Sequence, residues 1–299
     1  MFIIKYKKIF IGISLGLVLL SILALFTFKL NIGIDFKGGA LTEVAYIGER
    51  PSQEALDVKI QTLGFGSVVL QPTGETGYII KSRDLNEVEH ASLIKALSLD
   101  GKNTVEEKSF NSIGPSVGRE LTRKAVIAII LVSIAIICFI AFAFRGVSKP
   151  VSSWKYGFIA IVTLLHDVLI PVGIFTVLSH YYGVEVDTLF VVAILTILGL
   201  SVSDTIVIFD RIRENIKSQN INKINFGEIV GHSLDQSYVR SISTSMTVIL
   251  VLLSLVFFGP ASTKYFALML TSGMFFGTYS SIFLASPLLV LVSEKQLKA

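Results

Sequence analysis

Six long apolar runs, separated by shorter polar connections, set the pattern of the chain. A helix needs about 20 largely apolar residues to cross the hydrocarbon core of a bilayer. The first run follows three lysines, is longer than the apolar core of a signal peptide and lacks a clear cleavage site, so we interpret it as an uncleaved anchor. The runs predict six transmembrane helices, at residues 9–28, 124–144, 156–179, 187–209, 241–258 and 265–292.

A polar segment, residues 29–120, follows the first run and predicts a separate folded domain. Its stretches alternate between strand-like and helix-like patterns. We expect one helix between Ser52, its N-cap, and Gly64, and a second helix that starts with Asp84 and Glu87 as a capping pair. The inward face of the second helix is expected at Val88, Ala91, Ile94 and Leu97. The predicted strands are LTEVAYI (41–47), SVVLQ (67–71), GYIIKS (77–82) and NTVEEKSF (103–110).

These elements follow the order β-α-β-β-α-β, which is that of the ferredoxin-like, or split βαβ, arrangement. We therefore predict an α-helical polytopic membrane protein with an extracytoplasmic α+β domain between its first two transmembrane helices. The predicted boundaries are 1–28 for the cytoplasmic amino terminus and helix 1, 29–120 for the α+β domain, 121–292 for helices 2–6 with a cytoplasmic loop at 210–240, and 293–299 for a cytoplasmic tail.

The composition agrees with a membrane protein. Hydrophobic residues make up 52% of the chain and charged residues 16%, whereas soluble domains have about 25% charged residues. The single cysteine, Cys138, excludes an internal disulfide and a zinc cluster of the cysteine type. The sequence contains no H-E-x-x-H motif. We expect no metal ion, no cofactor and no nucleic-acid partner, with the lipid bilayer as the main surroundings.

The basic residues fall mainly in connections, and short connections rich in Lys and Arg stay in the cytoplasm. The amino terminus is lysine-rich, whereas the 180–187 connection has neither Lys nor Arg. This alternation predicts that both termini are cytoplasmic. Arg119, Arg123 and Lys124 flank the second span on its predicted outer side, but long translocated domains largely escape the charge rule. The basic residues of the two predicted inner loops are Arg145, Lys149, Lys155, Arg211, Arg213, Lys217, Lys223 and Arg240.

Asp204 interrupts the fourth apolar run and is the main candidate for chemistry. Counted from Asp187 at 1.5 Å per residue, it lies about 25 Å along the helix, in the inner half of the membrane. A carboxylate at bilayer depth costs roughly 2.5 kcal/mol or more, so it should face a partner or a wet cavity. Arg240 begins the fifth span on the same side. His166 and Asp167 lie near the middle of the third span, although adjacent helical residues point about 100° apart and do not share one face.

Two sequence motifs resemble those of a known family. GIDFKGG, residues 33–39, directly follows the first span, and SDTIVIFDRIREN, residues 203–215, closes the fourth. Together with six spans and one large outer domain, they make the chain similar to the SecD/SecF family of protein-export membrane proteins, within the resistance–nodulation–division group. The resemblance implies a multi-pass protein of the bacterial inner membrane that is not an enzyme. It implies an accessory role in the Sec pathway, in which the proton-motive force promotes preprotein translocation.

The resemblance also implies partners and site residues. The partners are a SecD-like second six-helix half, the SecYEG translocon, YajC as a further candidate, the translocating preprotein and protons. The implied proton relay comprises Asp204 as the titrating group, Arg240 as its control, Asp167 and His166. The residues that match the two motifs are Gly33, Asp35, Phe36, Gly38, Gly39, Ser203, Thr205, Asp210, Arg211, Arg213, Glu214 and Asn215. Ser203 departs from the family, which commonly has Asn there, and this leaves the local hydrogen bonding open.

Structural readings compete with these assignments. Asp204 and Arg240 could form a static pair that fixes helix packing. The simplest interpretation of GIDFKGG is a tight junction between the membrane helix and the outer strand, in which glycine permits unusual backbone angles. DRIREN can be interpreted either as a solvated helix end or as a segment that docks to a partner. Four-residue spacing of small residues predicts helix packing at two glycine pairs, and prolines predict two kinks. These residues are Gly12 with Gly16, Gly273 with Gly277, Pro171 and Pro287.

Two other functions remain open from the sequence. Half of a proton-coupled exporter of small hydrophobic molecules would share the same physics, but such exporters usually carry larger outer domains. An intramembrane serine protease is the enzyme alternative, since Gly199-Leu200-Ser201-Val202 partly matches a membrane-protease motif. That motif lacks its usual final glycine here, and no histidine is clearly opposite the serine.

Overall fold

The computed structural model describes residues 2–143, 153–218 and 225–297. Arg145, Lys149 and Lys223 of the predicted inner loops, and the last two residues of the predicted tail, lie outside this part. The α-helices are α1 (Phe2–Lys5), α2 (Lys7–Phe28), α3 (Ile34–Lys37), α4 (Gln53–Gln61), α5 (Glu87–Leu97), α6 (Pro115–Ala143), α7 (Ser153–Tyr182), α8 (Thr188–Ser218), α9 (Phe226–Phe258), α10 (Ala261–Ser280) and α11 (Ser286–Leu297). The strands are β1 (Gly39–Tyr46), β2 (Val69–Thr73), β3 (Gly77–Ser82) and β4 (Val105–Ile113).

Six helical segments in the described residues are long and apolar enough to cross a membrane, as predicted. The sixth consists of α10, a π-helical turn at Ser281–Ala285 and α11. Several helices extend beyond the apolar runs that predicted them: α6 begins nine residues before position 124, and α9 begins fifteen residues before position 241. The apolar run marks only the part of a helix that suits hydrocarbon, whereas the backbone stays helical into polar surroundings.

The chain divides into two compact units. The first comprises Met1–Asn31 and Ile127–Ala299, and the second comprises Ile32–Val126. Within the first unit, α7, α8 and the α10–α11 segment are the most buried spans, whereas α2, α6 and α9 expose most of their apolar surface. The interior of this unit therefore lies where α7, α8 and α10 meet one another.

Close helix packing in the first unit depends on glycines. A Cβ atom added at Gly273 would collide with the Ile197 side chain of α8, and one at Gly277 would lie 3.2 Å from the Cβ of Ser201. Gly273 and Gly277 thus bring α10 against α8 with the predicted four-residue spacing. Gly12 and Gly16 differ, because no described atom lies within 4 Å of a Cβ added at either position. For that pair helix packing stays a prediction, which no helix described in this chain fulfils.

The second unit is built on a four-stranded antiparallel sheet of order β2-β3-β1-β4, with α4 between β1 and β2 and α5 between β3 and β4. Ser52 caps α4 as predicted, accepting a hydrogen bond from the Ala55 N–H. The two helices cover one side of the sheet and enclose an apolar core. Its most buried members are Ala40, Val44, Leu56, Ile60, Ile80, Leu93 and Leu97.

The predicted start of α5 was wrong by two residues. Asn86, not Asp84, caps the helix in a capping box with Glu89. The N–H of Leu85 donates to the Ser112 hydroxyl at 3.0 Å, which keeps this residue extended beside β4 and delays the helix. Val88 and Ala91, expected to face inward, are exposed, and the buried residues of α5 are Leu93, Ala96 and Leu97. Of the predicted inward face, Leu97 is buried and Ile94 packs against the core.

Candidate functional site

Asp167 of α7 is fully buried and lies at the centre of a hydrogen-bonded cluster inside the first unit. One of its oxygens is 2.8 Å from the Nδ1 atom of His166. The other accepts hydrogen bonds from the hydroxyl of Ser201 on α8 and, at 2.8 Å, from the hydroxyl of Ser280 on α10. A buried carboxylate without such donors would be costly. Three helices therefore meet at this one side chain.

Asp204 of α8 forms a second carboxylate site, with donors from two other helices. The hydroxyl of Thr278 on α10 donates to it at 3.0 Å, and the hydroxyl of Ser245 on α9 does so at 3.4 Å. These two hydroxyl oxygens are themselves 2.5 Å apart. Asp204 is only partly buried, in contrast to Asp167. The expected partner at similar depth is thus a pair of hydroxyl groups.

A third hydroxyl pair lies between the last span and α8. The hydroxyls of Thr205 and Ser281 are 2.8 Å apart, and both residues are buried. Ser281 begins the π-helical turn, whereas Ser280, the residue before it, donates to Asp167. Turns of this kind are rare and occur frequently at functional sites. Here adjacent serines contact different helices, one reaching α7 and the other α8.

His166 contacts Asp167 although the two residues are neighbours on one helix. The expectation that they do not share a face concerned only the directions of their Cα–Cβ bonds, and the imidazole bridges that angle through its Nδ1 atom. The ring lies parallel to that of Tyr279, with centroids 6.2 Å apart. Its Nε2 atom is buried and has no hydrogen-bond partner among the described residues. The Nε2 atom is therefore the position of the His166–Asp167 pair at which a further donor or acceptor could bind.

Arg240 lies away from both carboxylates. Its side chain is exposed and lines a crevice of about 140 Å³ at the end of α8. Arg240 forms no ion pair with Asp204 in the described part of the chain, where the hydroxyls of Ser245 and Thr278 donate to Asp204. The static pair considered from the sequence is therefore not formed in this structure. The residues that line the crevice are Val207, Asp210, Arg211, Glu214, Gln236, Ser237 and Arg240.

Sequence reasoning missed the hydroxyl groups around the two carboxylates. Serine and threonine are common in membrane helices, and a single one carries no signal of its function. One pattern could have indicated them, because α9 carries a serine at every fourth position and thus on one face. These serines are Ser233, Ser237, Ser241 and Ser245.

The cluster offers groups that exchange protons. Two carboxylates, an imidazole and several hydroxyls can each accept or donate a proton. No group of three His, Cys, Asp or Glu side chains that could hold a metal ion occurs among the described residues. Ser201 does not have the arrangement of a protease nucleophile, since its hydroxyl contacts a carboxylate instead of an imidazole.

The family described as protein export membrane protein SecD/SecF, C-terminal, matches residues 94–295. The chain belongs to the SecD/SecF family. A protein translocase subunit SecF from Thermobaculum terrenum is 43% identical over 306 residues, which cover 98% of this chain and 94% of that protein. Another protein of that name, from Anaerolinea thermophila, is 35% identical over 287 residues, covering 95% and 92% of the two chains.

A solved SecD/SecF structure is also similar to the chain. It is the crystal structure of SecDF, described as a translocon-associated membrane protein, from Thermus thermophilus. The TM-score is 0.81 at 29% sequence identity. The match covers 98% of this chain and 38% of the SecDF chain, so this chain spans well under half of that protein's length.

The second SecD/SecF motif lies on α8, where its residues have different surroundings. Asp210 pairs with Arg213, and Arg211 pairs with Glu214, each at 2.8 Å on the exposed side of the helix. Ion pairs of this kind contribute little stability. Ser203 is exposed and does not belong to the hydroxyl cluster.

Asn215, the last residue of that motif, is buried. Its side-chain amide donates to the Ser233 hydroxyl at 2.8 Å and to the Gln236 side chain at 3.0 Å. It therefore joins the end of α8 to the start of α9. Thr205 is the motif residue, besides Asp204, that belongs to the buried cluster.

The first SecD/SecF motif lies in the second unit and forms a compact bend around α3. Gly33 caps α3, and Asp35 and Phe36 lie within it. Gly38 has a φ of +81°, and a Cβ added there would be 2.8 Å from the Cα of Pro115. A side chain at this position would meet both backbone strain and a collision. The junction reading of GIDFKGG agrees with this geometry, in which Gly39 begins β1.

Proposed function

We propose that the chain is an accessory subunit of the Sec protein-export machinery that uses the proton-motive force to promote preprotein translocation across the bacterial inner membrane. The observation that carries the proposal is the pair of carboxylates, Asp167 and Asp204, held by hydroxyls from several helices in the interior of a six-span unit. The relatives that are similar over nearly their full length are named as translocase subunits, which supports export as the task.

Asp204 is the group that we assign to proton uptake and release. In its ionised form it accepts hydrogen bonds from Thr278 and Ser245, whereas in its protonated form it must donate one. Protonation of Asp204 therefore changes the hydrogen bonds that join α8 to α9 and α10. A proton that crosses the membrane supplies about 2.3 kcal/mol per 100 mV. That energy shifts an equilibrium between two helix arrangements roughly forty-fold.

Asp167 and His166 extend the relay away from Asp204. Asp167 is enclosed more completely and has donors on both oxygens. Ser201, which donates to it, lies one helical turn from Asp204 on α8. A rotation or sliding of α8 therefore changes the hydrogen bonds of both carboxylates together.

Arg240 is proposed as the control of Asp204 through movement of α9. It precedes Ser245, which contacts Asp204, by five residues, or about 7.5 Å along the helix. A carboxylate loses or regains a proton more readily as a positive charge approaches or leaves. A displacement of α9 relative to α8 would change the distance between the Arg240 guanidinium and the Asp204 carboxylate.

The second unit is inferred to be ferredoxin-like and to act on the emerging polypeptide outside the membrane. Its βαββαβ element order and its β2-β3-β1-β4 sheet support this topology. The charge pattern of the connections supports an orientation in which both termini are in the cytoplasm and this unit is outside.

A SecD-like second half is the main proposed partner. The similar SecDF chain is more than twice as long as the part that this chain matches. The SecYEG translocon and YajC are further proposed partners in the same pathway. Export of small hydrophobic molecules is less well supported, because the full-length relatives carry the translocase name. A protease is disfavoured because Asp167 lies between Ser201 and His166.

The test is export of a secreted preprotein in cells whose only copy carries Asp204→Asn, with and without a proton-motive force. We expect normal membrane abundance and loss of the proton-driven part of export, because Asn cannot exchange the proton. Glu228→Gln is the matched control, since it neutralises an exposed carboxylate in the first turn of α9. Proton-driven export that survives Asp204→Asn would refute the proposal.

A further inference from the structure

Ser14 of α2 is buried, with 1% of its surface exposed, and its hydroxyl forms no hydrogen bond with any described residue. The two other hydroxyl groups of this helix behave differently. Those of Ser21 and Thr27 donate to the carbonyl oxygens four residues earlier, at 2.9 and 2.8 Å, which is a common arrangement for serine and threonine within a helix. The Ser14 hydroxyl therefore keeps a donor and an acceptor open at a place that solvent does not reach.

The helices α2 and α7 run side by side in the same direction, as two contacts show. Gly173 lies against Ser21, and the rings of Phe28 and His180 are 4.6 Å apart, measured between their centroids. From the first contact to the second, each helix advances by seven residues. Seven residues make nearly two turns, so positions seven apart lie on almost the same face of a helix. The register between the two helices is therefore constant over this length.

One further step of seven residues toward the amino ends leads to Ser14 and His166, which therefore lie at the same level on the facing sides of α2 and α7. His166 is 2% exposed, and its Nε2 atom has no hydrogen-bond partner within the described part of the chain. In native structures only about a tenth or less of buried polar groups lack a partner. Two such atoms at one level of one helix pair indicate a ligand that they share.

Tyr279 of α10 brings a third polar group to this place. Its ring lies parallel to the imidazole of His166, and its hydroxyl lies 3.5 Å from the carbonyl oxygen of Phe10. Regular hydrogen bonds between oxygens measure about 2.5–3.0 Å, so the contact with Phe10 is a long one. Phe10 precedes Ser14 by one helical turn. The Tyr279 hydroxyl therefore ends beside Ser14 and is able to bind a closer partner.

We infer that Ser14, His166 and Tyr279 hold one water molecule between α2, α7 and α10. A buried water typically makes about three hydrogen bonds, and this site offers two hydroxyls and one imidazole nitrogen. Water and the hydroxyls each donate and accept, so the nitrogen is satisfied whether or not it carries a proton. Ser14 is in this way a positioning residue for His166.

The water adapts His166 to the state of Asp167. A neutral imidazole has one nitrogen that donates and one that accepts. When Asp167 is ionised, the Nδ1 atom, 2.8 Å away, must donate, and Nε2 must accept. When Asp167 is protonated and donates to Nδ1, Nε2 becomes the donor, and water satisfies it in both cases. The water site stands on the geometry of the three helices, whereas this role in the relay rests on the proposed function.

Nitrogen-15 NMR of the imidazoles tests the site directly. The full chain in lipid bilayers is labelled in its four histidines, and the His166 signals are identified by their loss in His166→Gln. The readouts are the Nε2 chemical shift and the transfer of magnetisation from water protons to Nε2. The test variant is Ser14→Ala. The matched control is Ser21→Ala, which removes a buried hydroxyl from the same face of α2 whose hydrogen bond lies within its own helix.

In the unmodified chain and in Ser21→Ala, we expect a hydrogen-bonded Nε2 that receives magnetisation from water. In Ser14→Ala the transfer should fall at least about threefold, the change in occupancy that loss of one ordinary hydrogen bond produces, and the Nε2 shift should move toward that of a nitrogen without a partner. Transfer that Ser14→Ala leaves unchanged overturns the inference. A Nε2 shift that depends on Ser14 without any transfer from water means a direct bond between the two side chains, which also overturns the water site.

The role in the relay has a separate readout. Proton-driven export should fall by a similar factor in Ser14→Ala and stay normal in Ser21→Ala, with equal amounts of both variants in the membrane. Normal export in Ser14→Ala overturns that role. Failure of the proposed function is distinguishable, because Asp204→Asn would then retain proton-driven export while His166 still receives magnetisation from water.

Discussion

Gly173→Ala should separate two spans of the first unit. Gly173 lies in α7 against Ser21 of α2, where an added Cβ would be 2.5 Å from the Ser21 Cβ and 2.7 Å from its Cα. Ordinary van der Waals contact begins at 3.4 Å, so the helices must move apart by roughly 0.7–0.9 Å. Backbone atoms cannot rotate out of the way as the end of a side chain can.

The expected cost follows from two opposing effects. Overpacking of a well-packed interior costs about 1–3 kcal/mol, while replacing glycine by alanine in a helix gains up to about 1 kcal/mol. Gly12→Ala supplies the control on the same pair of spans, because nothing described lies within 4 Å of its added Cβ. It should be neutral or slightly stabilising.

Thermal unfolding of the purified full chain in detergent measures the difference. We expect Gly173→Ala to melt lower than Gly12→Ala by at least about 3 °C, given a few degrees per kcal/mol for domains of this size. The Ser21 Oγ would also lie 2.7 Å from the added Cβ, so adding Ser21→Gly removes two of the three colliding atoms, Cβ and Oγ, and should restore part of the loss. Equal melting temperatures for the two alanine variants would contradict the inferred α2–α7 contact.

Three further outcomes can be checked. Gly277→Ala should press on Ser201, displace its hydroxyl from the buried carboxylate and reduce proton-driven export more than the abundance of the chain. The hydrogen bond from Arg83, together with one from the Asn86 N–H, lowers the pKa of Glu89 from 4.5 to about 2. The stability contributed by ionised Glu89 should therefore be complete above pH 4.5 and be lost as the pH falls toward 2, so Glu89→Gln should flatten the acid dependence of thermal unfolding in this range. Asn215→Ala should destabilise the first unit by about 1–3 kcal/mol in denaturant unfolding, because it leaves the buried hydroxyl of Ser233 without its donor.

The spans were predictable because apolar surface must match hydrocarbon thickness, and composition alone reports that match. Their ends were not, as α9 shows: its first fifteen residues are helical but polar enough to resemble a loop. In the second unit, Asp84 with Glu87 and Asn86 with Glu89 both fit a capping box. A tertiary hydrogen bond from Leu85 selected the second pair.

The candidate site was predictable only in its charged members. A carboxylate within an apolar run is conspicuous, so Asp167 and Asp204 could be named from the sequence. The hydroxyls that hold them could not, because their selection depends on which faces of α8, α9 and α10 meet. The interpretation of Asp204 and Arg240 as a static pair assumed that a carboxylate in a membrane helix forms an ion pair with the nearest arginine. In the structure, hydroxyl groups contact this carboxylate instead.

The π-helical turn at 281–285 makes the last span sensitive to the deletion of a single residue. A wide turn holds one residue more than a regular turn, so every later side chain is rotated by about 100° from a regular continuation of α10. Glu294 reaches Lys7, at 2.5 Å, in this rotated register. Deleting a single residue within the turn would restore a regular helix and carry Glu294 about a quarter turn away from that lysine. The extra residue of the turn therefore sets the register of the whole remaining helix. A deletion there would change the contact of Glu294 at the far end as well as the contacts of the buried serines.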